Sequence, residues 1–109
     1  MRNLNSLNEV NEIINSSSAV LLYFSGKNCS VCNALKPKIE YEVTNYLPKI
    51  DIYEVKADIY KQIASNFSVF SIPTILVFFD SKEFKRVGRN ISISNFIEEL
   101  RRPYDLFMD

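Results

Sequence analysis

Residues 19–37 have the sequence AVLLYFSGKNCSVCNALKP and hold both cysteines of the protein, Cys29 and Cys32. The apolar run Ala19–Phe24 is typical of a strand that is buried on both faces. Residues compatible with a helix follow from Cys29 onward. The stretch therefore predicts a buried strand that passes through a short loop into a helix beginning with a Cys-x-x-Cys pair.

The spacing of the two cysteines favours reversible redox chemistry. A Cys-x-x-Cys pair at a strand-to-helix junction is typical of a dithiol site. We expect Cys29 in the first helical turn, where free backbone N–H groups and the positive end of the helix dipole favour a thiolate. Cys32 lies one turn further along the same face, within reach for a disulfide. Lys27 adds a positive charge nearby, which either lowers the pKa of Cys29 or, if Lys27 is a solvated surface residue, has only a small, screened effect on it.

Two other roles for the pair are less favoured. A purely structural disulfide would close a very short ring, which stabilises by about 2 kcal/mol against about 3 kcal/mol for a 15-residue loop. A zinc site needs four ligands, and this pair supplies two in a chain without histidine. We therefore predict a redox pair with no metal and no bound cofactor.

The composition limits the class of protein. The 109 residues are 47% hydrophobic and 24% charged, which predicts one globular domain over residues 1–109. The formal net charge is zero, which argues against nucleic-acid binding. No apolar run approaches the roughly 18 residues of a membrane span, and the first residues lack the apolar core of a signal peptide. We therefore expect a cytoplasmic protein.

The first half of the chain predicts alternating strands and helices. Residues 1–5 suggest a short edge strand, and Ser6 and Glu9 fit a capping box that opens a helix. The helix from about Cys29 to Tyr46 contains Pro37. Its apolar stripe is expected at Val31, Leu35, Ile39 and Val43.

The second half predicts a strand at residues 50–57 and a shorter helix at 58–67. Asp58 is the expected N-cap of that helix, with Ile59, Ile63 and Phe67 on its buried side. A buried strand over residues 74–79 then turns through residues 80–82 into a polar edge strand over residues 83–87. A last helix begins near Ser92 or Ser94, and Pro103 is expected to end it, leaving residues 103–109 as a C-terminal tail.

The resulting order is βαβα followed by ββα, which predicts parallel strands from the first half and an antiparallel hairpin from the second. With Cys29-Ser-Val-Cys32 after the first buried strand, this order resembles thioredoxin from about Asn8 to Leu100. Three further features carry the resemblance: Pro37, Ile72-Pro73-Thr74 and Val87-Gly88. The resemblance implies an α/β thioredoxin-like fold, with a central mixed sheet of four to five strands and about four helices.

The resemblance also implies an activity and a set of site residues. It implies a thiol–disulfide oxidoreductase that reduces protein disulfides through Cys29 and Cys32, takes its electrons from an external reductase and acts as a monomer. The Ile72–Pro73 bond is expected to be cis, which costs only about 0.5–1 kcal/mol before proline. The substrate is then expected to lie along the following residues: Ser30, Val31, Ile72, Pro73 and Gly88.

The chain also departs from the family pattern. Ser25 and Asn28 occupy positions where thioredoxins usually have tryptophan, and the chain contains no tryptophan. Tyr23 occupies the position of a buried carboxylate that is thought to accept the proton of the second cysteine. That proton must then pass to water or another group, for which Lys56 and Asp58 are the candidates.

These departures keep two alternative functions open. One is a protein-binding module that keeps the fold without catalysis, and its binding would be indifferent to Cys29→Ser. The other is a redox sensor whose disulfide state changes its affinity for a partner.

Overall fold

The computed structural model describes residues 1–108 of the chain, and within them five strands form one mixed sheet flanked by four helices. The strands lie in the order β1-β3-β2-β4-β5, where β1, β3 and β2 are parallel and β4 and β5 are antiparallel to their neighbours. This architecture confirms the predicted α/β fold. The elements in chain order are β1 (Arg2–Asn3), α1 (Leu7–Ser16), β2 (Ala19–Ser25), α2 (Ser30–Tyr46), β3 (Asp51–Lys56), α3 (Lys61–Asn66), β4 (Thr74–Phe79), β5 (Lys82–Val87) and α4 (Ile93–Phe107).

The two central strands are covered on both faces. Every residue of β2 and of β4 is buried, as their continuous apolar sequences predict. Consecutive residues of β2, such as Leu21 and Leu22, point to opposite faces of the sheet and belong to separate apolar clusters. One cluster packs the sheet against α2 and α4, and the other packs it against α1 and α3. The carboxyl end of β2 is therefore held from both faces where it enters the cysteine loop.

The cap of α1 is formed in part as expected. The Ser6 hydroxyl accepts a hydrogen bond from Glu9 N at 3.1 Å. The Glu9 carboxylate accepts from Asn5 N at 3.3 Å and from the Arg2 guanidinium, which β1 brings beside it. The Glu9 carboxylate therefore binds the N–H of Asn5, whereas in a regular capping box it would bind the N–H of the N-cap residue, Ser6.

The expected start of α3 is wrong. Asp58 is not an N-cap, because its carboxylate accepts a hydrogen bond from Lys27 N at 2.9 Å. The α-helix begins at Lys61, and Ile59 is exposed instead of lying on the buried side. Ile63 is buried as expected. The Asp58 carboxylate thus accepts a hydrogen bond from the backbone of the cysteine loop, and this tertiary contact replaces the helix cap that its position in the sequence suggested.

The expected C-terminal tail is also wrong over the described residues. Helix α4 continues through Pro103 to Phe107, and Asp109 lies outside the described residues. Tyr104 is buried, and its hydroxyl accepts a hydrogen bond from Lys49 N at 3.0 Å. Lys49 Nζ donates to Met108 O at 2.8 Å. These tertiary contacts hold the last turn although Pro103 lacks the N–H that would bond one turn back.

The β4–β5 hairpin agrees closely with the sequence. Asp80 and Ser81 both have positive φ, 52° and 68°, as a two-residue type I′ turn requires. Strand β5 begins at Lys82, one residue earlier than expected, and lies at the polar edge of the sheet. Among the described helices, none is both long and apolar enough to cross a membrane.

Candidate active site

The cysteine pair lies where β2 passes into α2. Cys29 is the N-cap of α2, so it precedes the first helical turn instead of lying in it. Its Sγ accepts a hydrogen bond from Cys32 N at 3.2 Å, which satisfies one of the free N–H groups at the helix start. The two residues are joined by a disulfide, with their Cα atoms 5.2 Å apart. Cys29 is half-buried, whereas Cys32 is 1% exposed.

The loop before Cys29 is held tightly against its surroundings. Asn28 has a left-handed backbone with φ of 57°, which asparagine tolerates better than most residues. Lys27 N donates to the Asp58 carboxylate, while the Lys27 side chain is exposed. A Cβ placed on Gly26 would lie 2.5 Å from Ile72 Cδ1, so a larger residue here would require the Ile72 side chain to move. The loop and Ile72 are therefore in direct contact.

The structure brings the predicted proline loop and glycine to the same place. The Ile72–Pro73 peptide bond is cis, and Thr74 Oγ1 fixes the loop by donating to Ser71 O at 2.7 Å. A Cβ placed on Gly88 would lie 3.8 Å from Pro73 O, so Gly88 borders the proline without being crowded. We call the three loops that meet here, residues 26–28, 71–73 and 88–89, the rim.

The residues predicted to contact substrate differ in exposure. Ser30, Val31 and Gly88 are exposed, Ile72 is partly buried and Pro73 is buried. Val31 was also expected on the apolar stripe of α2, and that expectation is wrong because it is 36% exposed. Its place on the stripe is taken by Cys32, which is in phase with the buried Leu35, Ile39 and Val43. Val31 is therefore free to contact a substrate beside the disulfide.

Sequence reasoning missed a buried carboxylate beneath the cysteine helix. Glu54 in β3 is 1% exposed and pairs in register with Tyr23 of β2. Its carboxylate accepts hydrogen bonds from Ser25 Oγ at 2.6 Å, Lys36 Nζ at 2.8 Å and Lys56 Nζ at 3.0 Å. We call this group, Tyr23, Ser25, Lys36, Glu54 and Lys56, the floor. Since Lys36 lies one turn after Cys32 in α2, its ion pair ties the cysteine helix to the sheet.

The floor contains an anion and a neutral phenol. Burial would raise the pKa of Glu54, but the hydrogen bonds from Lys36, Ser25 and Lys56 outweigh it and lower the pKa to about 2. Burial and the negative charge of Glu54 raise the pKa of Tyr23 to about 12. The Tyr23 hydroxyl donates to Cys32 O at 2.7 Å. Tyr23 therefore acts as a donor that anchors the first turn of α2, and it cannot serve as a base near neutral pH.

The two candidates for receiving the Cys32 proton have other partners. Lys56 forms an ion pair with Glu54, and Asp58 holds the Lys27 backbone. Within residues 1–108, neither side chain is hydrogen-bonded to Cys32. The face on which Glu54 lies could have been predicted from the alternation of side chains along β3. Glu54 points to the same face of the sheet as Ile50 and Ile52, which pack under α2.

Comparison with known proteins agrees with this geometry. The thioredoxin family model matches residues 3–102. The thioredoxin-like protein YdfQ of Bacillus subtilis is 32% identical over 107 residues, which cover 98% of this chain and 95% of that protein. The thioredoxin of Chlamydia trachomatis is 37% identical over 71 residues, which cover 65% of this chain and 69% of the relative.

Solved structures share the fold at lower sequence identity. Thioredoxin from Fasciola hepatica has a TM-score of 0.80 at 24% identity, with 94% of this chain and 98% of the other covered. Oxidised mitochondrial thioredoxin 3 from Saccharomyces cerevisiae has a TM-score of 0.79 at 18% identity, with coverages of 91% and 94%.

The chain belongs to the thioredoxin family. The family and a Cys-x-x-Cys pair at disulfide distance together define a thiol–disulfide oxidoreductase. Proteins of this class act on disulfide substrates and exchange electrons with a reductase partner.

Proposed function

We propose that the protein is a disulfide reductase in which Cys29 attacks the substrate and Cys32 resolves the product. The observation that carries this assignment is the difference in exposure between the two cysteines. Cys29 is half-buried at the N-cap, where an incoming disulfide can reach it, whereas Cys32 is buried beneath it. Free N–H groups and the helix dipole at this end of α2 favour a thiolate at Cys29.

The reaction balances in two exchange steps. In the dithiol form, the Cys29 thiolate attacks one sulfur of the substrate disulfide, the other substrate sulfur leaves as a thiolate, and a mixed disulfide forms. Cys32 then loses its proton to water and attacks Cys29, and the second substrate thiolate leaves. Two electrons pass to the substrate, and the enzyme keeps the Cys29–Cys32 disulfide. An external dithiol reductase returns the two electrons in the reverse sequence.

During these steps the substrate binds at the rim and the neighbouring first turn of α2. Ser30 and Val31 present side chains next to Cys29, and Ile72 and Gly88 border the same side. An extended polypeptide along Ile72 would pair with this loop as a single added strand. A reductase of this kind works where thiols are kept reduced, so we place it in the cytoplasm, acting as a monomer. Fractionation and sedimentation of the native protein test those two points.

The order of attack is tested with the two single-cysteine variants. Cys29→Ser should reduce the rate of insulin disulfide reduction to that of the enzyme-free control, because the attacking sulfur is gone. Cys32→Ser should also stop turnover, but it should accumulate a mixed disulfide between Cys29 and a substrate, detectable by non-reducing electrophoresis and mass spectrometry. Serine is nearly isosteric in both variants, so each controls for the fold of the other.

The reverse pattern would refute the assignment. If Cys32→Ser traps nothing and Cys29→Ser retains turnover, Cys29 is not the attacking residue. If neither variant changes partner binding and the native protein reduces nothing, a non-catalytic binding module is the better description.

A further inference from the structure

The guanidinium of Arg89 is held over the rim by a single hydrogen bond. Arg89 follows Gly88, and its Nη2 donates to Ile72 O at 3.1 Å. The side chain is exposed. A guanidinium carries five N–H donors in a planar fork. The contact with Ile72 uses one of them and leaves the others available on the solvent side.

Arg89 differs in this respect from four other cations of the sheet and its flanks, whose charges are paired with carboxylates. Arg86, three residues earlier, binds both Glu83 oxygens and donates to Phe67 O and Ser68 O. Lys85 is paired with Glu99, and Lys36 and Lys56 are paired with Glu54. Within residues 1–108, Arg89 has no carboxylate partner. It is therefore a positioned cation whose charge is not neutralised by a carboxylate of residues 1–108.

The position of Arg89 connects it to the disulfide. The Ile72 side chain contacts Gly26, three residues before Cys29, while the Ile72 carbonyl binds Arg89. Gly88 borders Pro73 on the same side. A polypeptide that approaches Cys29 along Ile72 would therefore pass close to the guanidinium. The carboxylate of the neighbouring loop, Asp58, is directed to Lys27 N and does not compete for Arg89.

We propose that Arg89 is a specificity residue that binds a carboxylate next to the disulfide of the protein substrate. The inference rests on the proposed reductase function and adds the chemistry of the preferred substrate, an acidic polypeptide segment. Arginine suits this role because its fork binds a carboxylate through two parallel hydrogen bonds. The bond to Ile72 O restricts the side chain before the substrate arrives, which lowers the entropy cost of binding.

The test compares peptide disulfides that differ in one side chain. Two peptides carry Glu or Gln two residues after the disulfide-bonded cysteine, and a second pair carries the same change two residues before it. For the native protein, kcat/KM should be about threefold to tenfold higher for the Glu peptide in at least one pair. The preference should appear in KM and should shrink in 0.5 M NaCl, because the contact is exposed to screening ions.

Three variants separate recognition from general effects. Arg89→Gln should abolish the preference for Glu over Gln, and Arg89→Lys should retain part of it because the charge remains without the fork. Arg86→Gln is the matched control, since Arg86 is saturated by Glu83, and it should keep the native preference. Circular dichroism checks that each variant is folded.

A native protein that reduces both peptides equally would overturn the inference, as would an Arg89→Gln variant that keeps the preference. Equal acceleration of both peptides by Arg89→Gln would also overturn it, since Arg89 would then only shield the Ile72 carbonyl. Reduction of insulin disulfides by the native protein separates these results from failure of the reductase assignment. If insulin is not reduced, the proposed function fails, and the substrate preference falls with it.

Discussion

Cys29 and Cys32 are one helical turn apart, but the floor and the rim around them are built differently. The floor beneath Cys32 is centred on the buried Glu54, whose charge is paired within the floor: Glu54 accepts hydrogen bonds from one hydroxyl and from the ammonium groups of two partly exposed lysines. Across the described residues, no buried side-chain polar atom lacks a hydrogen-bond partner. The rim around Cys29 is open, with Lys27 and Arg89 exposed at its edges.

The difference separates two tasks of the site. The floor attaches α2 to the sheet through Lys36 and through the Tyr23 hydroxyl, so it fixes where Cys32 stands relative to Cys29. In the proposed function, the rim contacts the substrate, and its exposed charges can be changed without disturbing that geometry. Changes in the floor should therefore act mainly on stability, and changes in the rim mainly on rates and substrate preference.

The largest effect on stability is expected from Glu54→Gln. The amide removes the negative charge and leaves Lys36 and Lys56 without their partner, which should lower the free energy of unfolding by about 3 kcal/mol at pH 7. The matched control is Glu83→Gln, which breaks the exposed pair with Arg86 and should cost less than about 1 kcal/mol. Urea unfolding followed by circular dichroism measures both. Equal losses from the two variants would remove the distinction between the floor and the surface.

The contribution of Glu54 should disappear in acid. Its pKa is lowered from 4.5 to about 2 in the folded protein, so the unfolded chain binds more protons in this range. The stabilisation is complete above about pH 4.5 and is lost as the pH falls towards 2. The difference in unfolding free energy between the native protein and Glu54→Gln should therefore be constant from pH 7 to about 5 and shrink below that. A difference that stays constant down to pH 2.5 would mean that another group carries it.

A small effect is expected from Lys27 on the rim. Its side chain is exposed, so its charge acts on Cys29 through solvent and should be strongly screened. Lys27→Gln should slow the attack on a small uncharged disulfide by less than about twofold, with no difference in 0.5 M salt. Stopped-flow measurement of the first exchange step gives this rate. A tenfold loss that persists in high salt would assign Lys27 a direct contact with the reacting sulfurs.

Much of the fold could be predicted because it depends on local patterns. The apolar runs of β2 and β4 indicated buried strands, and the side chain of Ser6 forms a helix cap as its position suggested. The strand-to-helix junction at Cys29 followed from the same reasoning. These features depend on hydrophobic burial and backbone hydrogen bonds between near neighbours in the chain.

The features that sequence reasoning missed depend on contacts between distant residues. Pro103 should have ended α4, but Lys49 binds both Tyr104 and Met108 and holds the helix beyond it. Asp58 had the right chemistry for an N-cap, but the loop at Lys27 engages its carboxylate. Glu54 was overlooked because its burial requires Lys36 from another element. None of these partners is adjacent in sequence, so no local pattern identifies the contacts themselves. For Glu54, the alternation of β3 could have indicated only the face on which it lies.

The most direct test of the central claim is a redox titration of the native protein against a series of glutathione buffers. Alkylation and mass spectrometry give the fraction of molecules with the Cys29–Cys32 disulfide at each potential. A cytoplasmic reductase predicts one reversible two-electron transition near the thioredoxin value of about −270 mV. A transition near the −120 mV of a strong oxidant such as DsbA would contradict the reductase assignment. A pair that never forms the disulfide under any buffer would contradict the redox function itself.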